Sequence, residues 1–114
     1  MLIGQTVLAP NGGATATYFT PWWPRQGDAL TAVIEVLKAS GAFTMVCAVE
    51  TKNQEQSDAS AATLGSTFNI TSTTPTPATR SGCLELVRYK FTLSGDSASQ
   101  WVHFRSNAPQ WQPN

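Results

Sequence analysis

Residues 83–93 read Cys-Leu-Glu-Leu-Val-Arg-Tyr-Lys-Phe-Thr-Leu and residues 100–105 read Gln-Trp-Val-His-Phe-Arg, with Ser94, Gly95, Asp96 and Ser97 between them. In the first stretch Leu84, Leu86, Arg88, Lys90 and Thr92 alternate with Cys83, Glu85, Val87, Tyr89, Phe91 and Leu93. A two-residue period sends successive side chains to opposite faces of a strand. The polar, glycine-containing connection predicts that the two strands form a hairpin. Val87, Tyr89, Phe91 and Leu93 then face a core with Val102 and Phe104, while Arg88, Lys90, Trp101, His103 and Arg105 lie on exposed faces, side by side where the strands pair.

The preceding chain reads the same way. Residues 5–9 suit a short first strand, and Asn11, Gly12 and Gly13 mark a turn before a strand over 15–19. Pro21, Trp22, Trp23 and Pro24 impose an extended passage, because proline restricts its own φ and the residue before it. Residues 29–39 carry Leu30, Val33, Ile34, Val36 and Leu37, a pattern open to helix or strand; their β-branched content and the Ser40-Gly41 stop favour strand. A second long strand over 43–51 follows as the expected hairpin partner. Residues 52–62 lack an apolar face and read as an exposed loop or short surface helix, and 66–72 as a strand with Phe68 and Ile70 on one side. Residues 73–82 contain Pro75 and Pro77 and are expected to leave the regular structure at the sheet's edge. The fold class is therefore all-β: a single antiparallel β-sandwich or jelly roll of about seven strands with long Pro/Thr-rich loops. The sandwich domain is expected over 1–106, with a polar C-terminal tail over 107–114.

At 114 residues the chain makes one domain with a modest core. Seven basic side chains balance seven acidic ones, so no global field draws it to nucleic acid or to a membrane surface. No run approaches the roughly 20 apolar residues of a membrane helix, and no secretory signal is visible, so a soluble protein made in the cytoplasm is expected. Cys47 and Cys83 are too few for a zinc site and are expected to be buried free thiols; a disulfide requires their strands to pair or face each other. No cofactor or metal is predicted.

Catalysis has little to stand on. His103 is the sole histidine, and the carboxylates Asp28, Asp58, Asp96, Glu35, Glu50, Glu55 and Glu85 show no spacing that selects a pair. Gly12-Gly13 lacks the lysine and helix of a phosphate loop. Asn69-Ile70-Thr71 matches a glycosylation acceptor inside an expected strand, a chance match. The chain is therefore not read as an enzyme. Its contact candidates are aromatic and basic: Trp22, Trp23, Trp101 and Trp111, with Arg88, Lys90 and Arg105. Tryptophans fill cores, anchor protein interfaces or stack on sugars, and Trp22 and Trp23 are expected to split, one ring inward and one outward. The basic strip suits an acidic protein surface; the competing reading is a solvated face where Arg88 or Lys90 pairs with Glu85 or another carboxylate.

The charge-poor, Ser/Thr/Ala-rich β character and the tail Asn107-Ala108-Pro109-Gln110-Trp111-Gln112-Pro113-Asn114 carry a resemblance across the whole chain. In this the sequence resembles the small structural proteins of tailed-bacteriophage virions, capsid decoration or cement proteins. The resemblance implies a non-enzymatic virion protein, a homo-oligomer on the shell, whose partner is the major capsid protein and whose strand edges, loops and tails make the contacts. The alternative is a carbohydrate-binding β-sandwich module in which Trp22, Trp23 or Trp101 stacks on a glycan.

Overall fold

The structure is a computed structural model that describes residues 2–8, 16–39, 44–71, 76–93, 101–107 and 109–112, with backbone only at 2–8, 76, 107 and 112. The turns expected at 11–13, 40–41 and 94–97 lie outside these residues, as do parts of the 73–82 segment and of the tail. Eleven strand segments are present among the described residues: β1 (Leu2–Leu8), β2 (Ala16–Phe19), β3 (Trp23–Pro24), β4 (Ala29–Ala39), β5 (Met45–Lys52), β6 (Ala62–Thr63), β7 (Phe68–Ile70), β8 (Thr76–Ser81), β9 (Leu86–Leu93), β10 (Val102–Asn107) and β11 (Gln110–Gln112). A short 3-10 turn, Asp58–Ser60, precedes β6.

Three pairs of short strands share lanes. The two members of β2/β3 lie in succession along one side of β9, those of β6/β7 along β5, and those of β10/β11 along β4. Counted by lane, the first sheet runs β1, β10/β11, β4, β8 and the second runs β2/β3, β9, β5, β6/β7, all antiparallel. The pairing is nested. The first lane pairs with the eighth, the second with the seventh, the third with the sixth and the fourth with the fifth. That doubled ribbon, rolled so that β10 also pairs with β4 and β5 with β9, is the connectivity of a jelly roll.

The expected hairpins are corrected by this topology. β9 and β10 belong to opposite sheets, and so do β4 and β5. Alternation says which face a side chain takes, not which strand lies beside it, and facing strands across a sandwich share a core as hairpin strands do. The faces themselves are as expected: Val87, Tyr89, Phe91, Leu93, Val102 and Phe104 are buried. Phe91 and Phe104 meet across the core with ring centroids 4.7 Å apart, and Tyr18 stands edge-on to Phe104 at 6.3 Å. Ile34, Val36, Met45, Val49 and Ile70 complete the interior. Each buried side chain of this size contributes about 1.5–3 kcal/mol relative to exposure.

Two further expectations change. Residues 76–81 form β8 rather than an irregular excursion, with Pro77 opposite Val33. Proline is tolerated there because, among the described residues, β8 pairs with β4 alone and its other edge carries no ladder. Gln110–Gln112 is a strand against β4, and Trp111 packs on the core, so this part of the tail belongs to the sandwich. Cys47 and Cys83 are both free and buried, as expected; burial pushes both thiols up from their ordinary values. Arg80 ties the two sheets at one edge: its Nη2 donates to Ser66 O at 2.7 Å and its guanidinium lies over Phe68. Gly65, at φ +65, lets the chain turn beneath it.

Candidate functional site

The outer face of the second sheet gathers the chemistry. Tyr89 and Phe91 point inward on β9, so Arg88 and Lys90 point outward. Register places Glu50 of β5 opposite Arg88, and puts Ala48 of β5 and Phe19 of β2 on either side of Lys90. Between β2 and β3 the lane is held by Thr20, whose N–H donates to Tyr89 O at 3.0 Å and whose hydroxyl accepts from Tyr89 N–H at 2.9 Å. Pro21 and Pro24 fix their own φ and keep Thr20 and Trp23, the residues before them, extended. The result splits the tryptophan pair: Trp23 turns in against Tyr89, ring centroids 4.9 Å apart, and Trp22 turns out over the sheet.

Arg88 is the centre of the arrangement. Its Nε donates to Glu50 Oε1 at 2.9 Å, and both side chains are nearly covered, 11% and 13% exposed. Its guanidinium lies 4.1 Å from the Phe19 ring centroid and 4.4 Å from that of Trp22. Cations over aromatic faces gain about 0.5–2 kcal/mol, more where water is excluded. Lys52 extends the set, with Nζ 4.9 Å from the Trp22 ring and donating to Asp58 Oδ1 at 2.6 Å and Gln56 O at 3.0 Å. The Trp22 Nε1–H also donates to Asp58 Oδ1, at 3.1 Å, and Arg88 Nη1 lies 3.8 Å from Asp58 Oδ2. Asp58 is held below its ordinary carboxylate value chiefly by the Lys52 hydrogen bond, with further help from the Lys52 charge, the Trp22 N–H and Arg88.

Of the residues singled out from sequence, Trp22, Arg88 and Lys90 come together here. Trp23 and Trp111 pack against the core. Arg105 lies on the outer face of the first sheet, paired with Glu35 at 2.6 Å, and Trp101 precedes β10 of that same sheet, half-buried. The single basic strip is therefore two separate faces, because β9 and β10 lie in opposite sheets. Arg88 follows the competing reading, with Glu50 as the carboxylate rather than Glu85; Glu85 instead accepts from Gln54 N–H at 3.0 Å.

Sequence reasoning missed Phe19, Lys52, Glu50 and Asp58 as members of this face. Phe19 carried a usable signal: with Tyr18 inward, its neighbour on a strand must point outward. Lys52 and Asp58 carried none, since their contact with Trp22 depends on the chain between them folding back over β5.

An open depression of about 410 Å³ lies along Pro24, Arg25, Gln54, Glu85 and Leu86. Arg25 is engaged there by Cys83 O at 3.0 Å and by Asp28 at 3.6 Å. Among the described residues no group of three or more His, Cys, Asp or Glu is placed to hold a metal, and no helix is long and apolar enough to cross a membrane. Chemically, the outer face of the second sheet offers recognition: an aromatic and cationic surface held rigid by its own ion pairs. No protein-family model matches the chain, and no curated protein matches it significantly.

Proposed function

We propose that this protein is a non-enzymatic structural component of a virion, a capsid decoration or cement protein that binds the major capsid protein in many copies and stabilises the shell. The observation that carries the reading is the outer face of the second sheet, where Phe19, Trp22 and Arg88 are packed together and held, with Lys90 beside Phe19. Aromatic and arginine side chains held in place before binding are the residue types that dominate protein interfaces. The jelly roll adds support by analogy, since shells of viruses are a common use of this connectivity. A protein that binds the assembled lattice and not its separated subunits shifts assembly forward by mass action.

The same geometry weighs against the sugar-binding alternative. A stacking platform needs an open ring face, whereas Trp22 has two cations over its ring and Trp23 leans on the core, which leaves Trp101 as the remaining platform of that alternative.

The test is density-gradient fractionation of the source lysate, with quantitative mass spectrometry of the particle band. The expected result is a constant ratio of this protein to the major shell protein, and particles stripped of it that lose heat resistance until it is restored. Its absence from the particle band overturns the proposal.

A further inference from the structure

The charges of the second sheet's outer face are unequally matched. Arg88 and Lys52 are neutralised by Glu50 and Asp58. Lys90 makes no ion pair among the described residues; its Nζ lies 5.8 Å from the Phe19 ring centroid, and its cross-strand neighbours are Phe19 and Ala48. Thr17, Thr92 and Val46 continue the same face without charge. Phe19 itself is 43% exposed, a large apolar ring left to solvent beside the unmatched ammonium.

Any flat partner laid on this face removes water from Lys90. Burying an ammonium without compensation is strongly unfavourable, so the face rejects a partner that brings only apolar or basic groups. A carboxylate at Lys90 restores the balance, and aliphatic side chains beside it cover Phe19 and Val46. The geometry points to Lys90 and Phe19 as the recognition point of the docking face, and to its occupant as a protein surface that presents an Asp or Glu flanked by aliphatic residues. Arg88 then supports and orients the face through Phe19 and Trp22 instead of meeting the partner itself. This inference rests on the reading of the face as a docking surface and names the chemistry of what docks.

The experiment pans the full-length protein, immobilised, against a random dodecapeptide library, with Lys90→Glu, Lys90→Gln and Phe19→Ala proteins as comparisons; two substitutions at Lys90 ensure that one folded variant suffices. The enriched peptides are expected to carry Asp or Glu between aliphatic residues and to bind Lys90→Glu at least about tenfold more weakly, the loss of one desolvated charge pair. Lys90→Gln should fall between, and Phe19→Ala should weaken binding without changing the preference for acid. Peptides that lack carboxylates, equal binding to Lys90→Glu, or no enrichment overturn the inference. So does a concentration-dependent dimer in sedimentation that Lys90→Glu abolishes, which assigns the face to a second copy of the chain. The peptide result stands apart from virion fractionation, so either idea can fail alone.

Discussion

Two cross-strand Arg–Glu pairs occupy the outer faces of the two sheets, and they differ in everything but their chemistry. Arg105 of β10 opposes Glu35 of β4 at 2.6 Å, with about a third of each side chain exposed, 34% and 33%. Arg88 of β9 opposes Glu50 of β5 at 2.9 Å, with only 11% and 13% exposed, roofed by Phe19 and Trp22. In water, screening and side-chain entropy leave such a pair worth little; under aromatic rings the same pair is held and becomes costly to break. The roof, not the ion pair, is what covers one pair and leaves the other open to water.

The sharpest way to break this comparison is Arg88→Ala. It leaves the Glu50 carboxylate unpaired beneath the rings and is expected to cost about 3 kcal/mol in urea unfolding. Trp22→Ala removes one side of the roof and the N–H donated to Asp58, and should cost about 1–2 kcal/mol. It should also make the stability contributed by the Arg88–Glu50 pair sensitive to salt, where the intact protein is not. Arg105→Ala is expected to cost less than about 1 kcal/mol, and to lose even that near 1 M salt. A cost equal to that of Arg88→Ala would remove the distinction between the faces.

The smallest effect is a matter of pH. The Asp58 carboxylate is held below its ordinary value of 3.8 in the fold, so the folded state favours its ionised form. Its contribution is complete above that value and fades as pH falls through the lowered one. Asp58→Asn should therefore unfold more readily than the parent near neutrality, with the difference shrinking in acid; a difference that grows with acid contradicts the assignment.

The legible part of this fold was the part written in alternation. Val87 to Leu93 and Val102 to Phe104 declared their buried faces, because burial on one face imposes a period on the residues themselves, while the strand over residues 29–39 was legible from its β-branched content instead. Neighbourhood left no such trace. A polar stretch between two strands is equally suited to a hairpin and to a crossing from sheet to sheet, so β9 and β10 were read as partners when they face each other. Pro77 misled for a related reason: proline excludes a central strand, but among the described residues β8 has only β4 beside it. At the candidate site Arg88, Lys90 and Trp22 stood out by residue type. The roof did not, since Phe19 and Arg88 meet on the diagonal of a cross-strand register, and Lys52 and Asp58 by a fold-back, neither of which is a pattern along the chain.

The nested pairing also sets the order in which the chain can be closed. The innermost lanes meet after a short excursion, Cys47 against Phe68, whereas the outermost unite the ends of the molecule, Leu2 against Asn107. Loop-closure entropy rises with the length enclosed, so β5 with β6/β7 is the cheapest ladder to nucleate, and each later pair is shortened by the one already formed. The topology predicts a zipper running from the middle of the chain to both termini, slow as non-local β topologies are, in which a translating ribosome releases β10 before β1 gains the neighbour it has among the described residues.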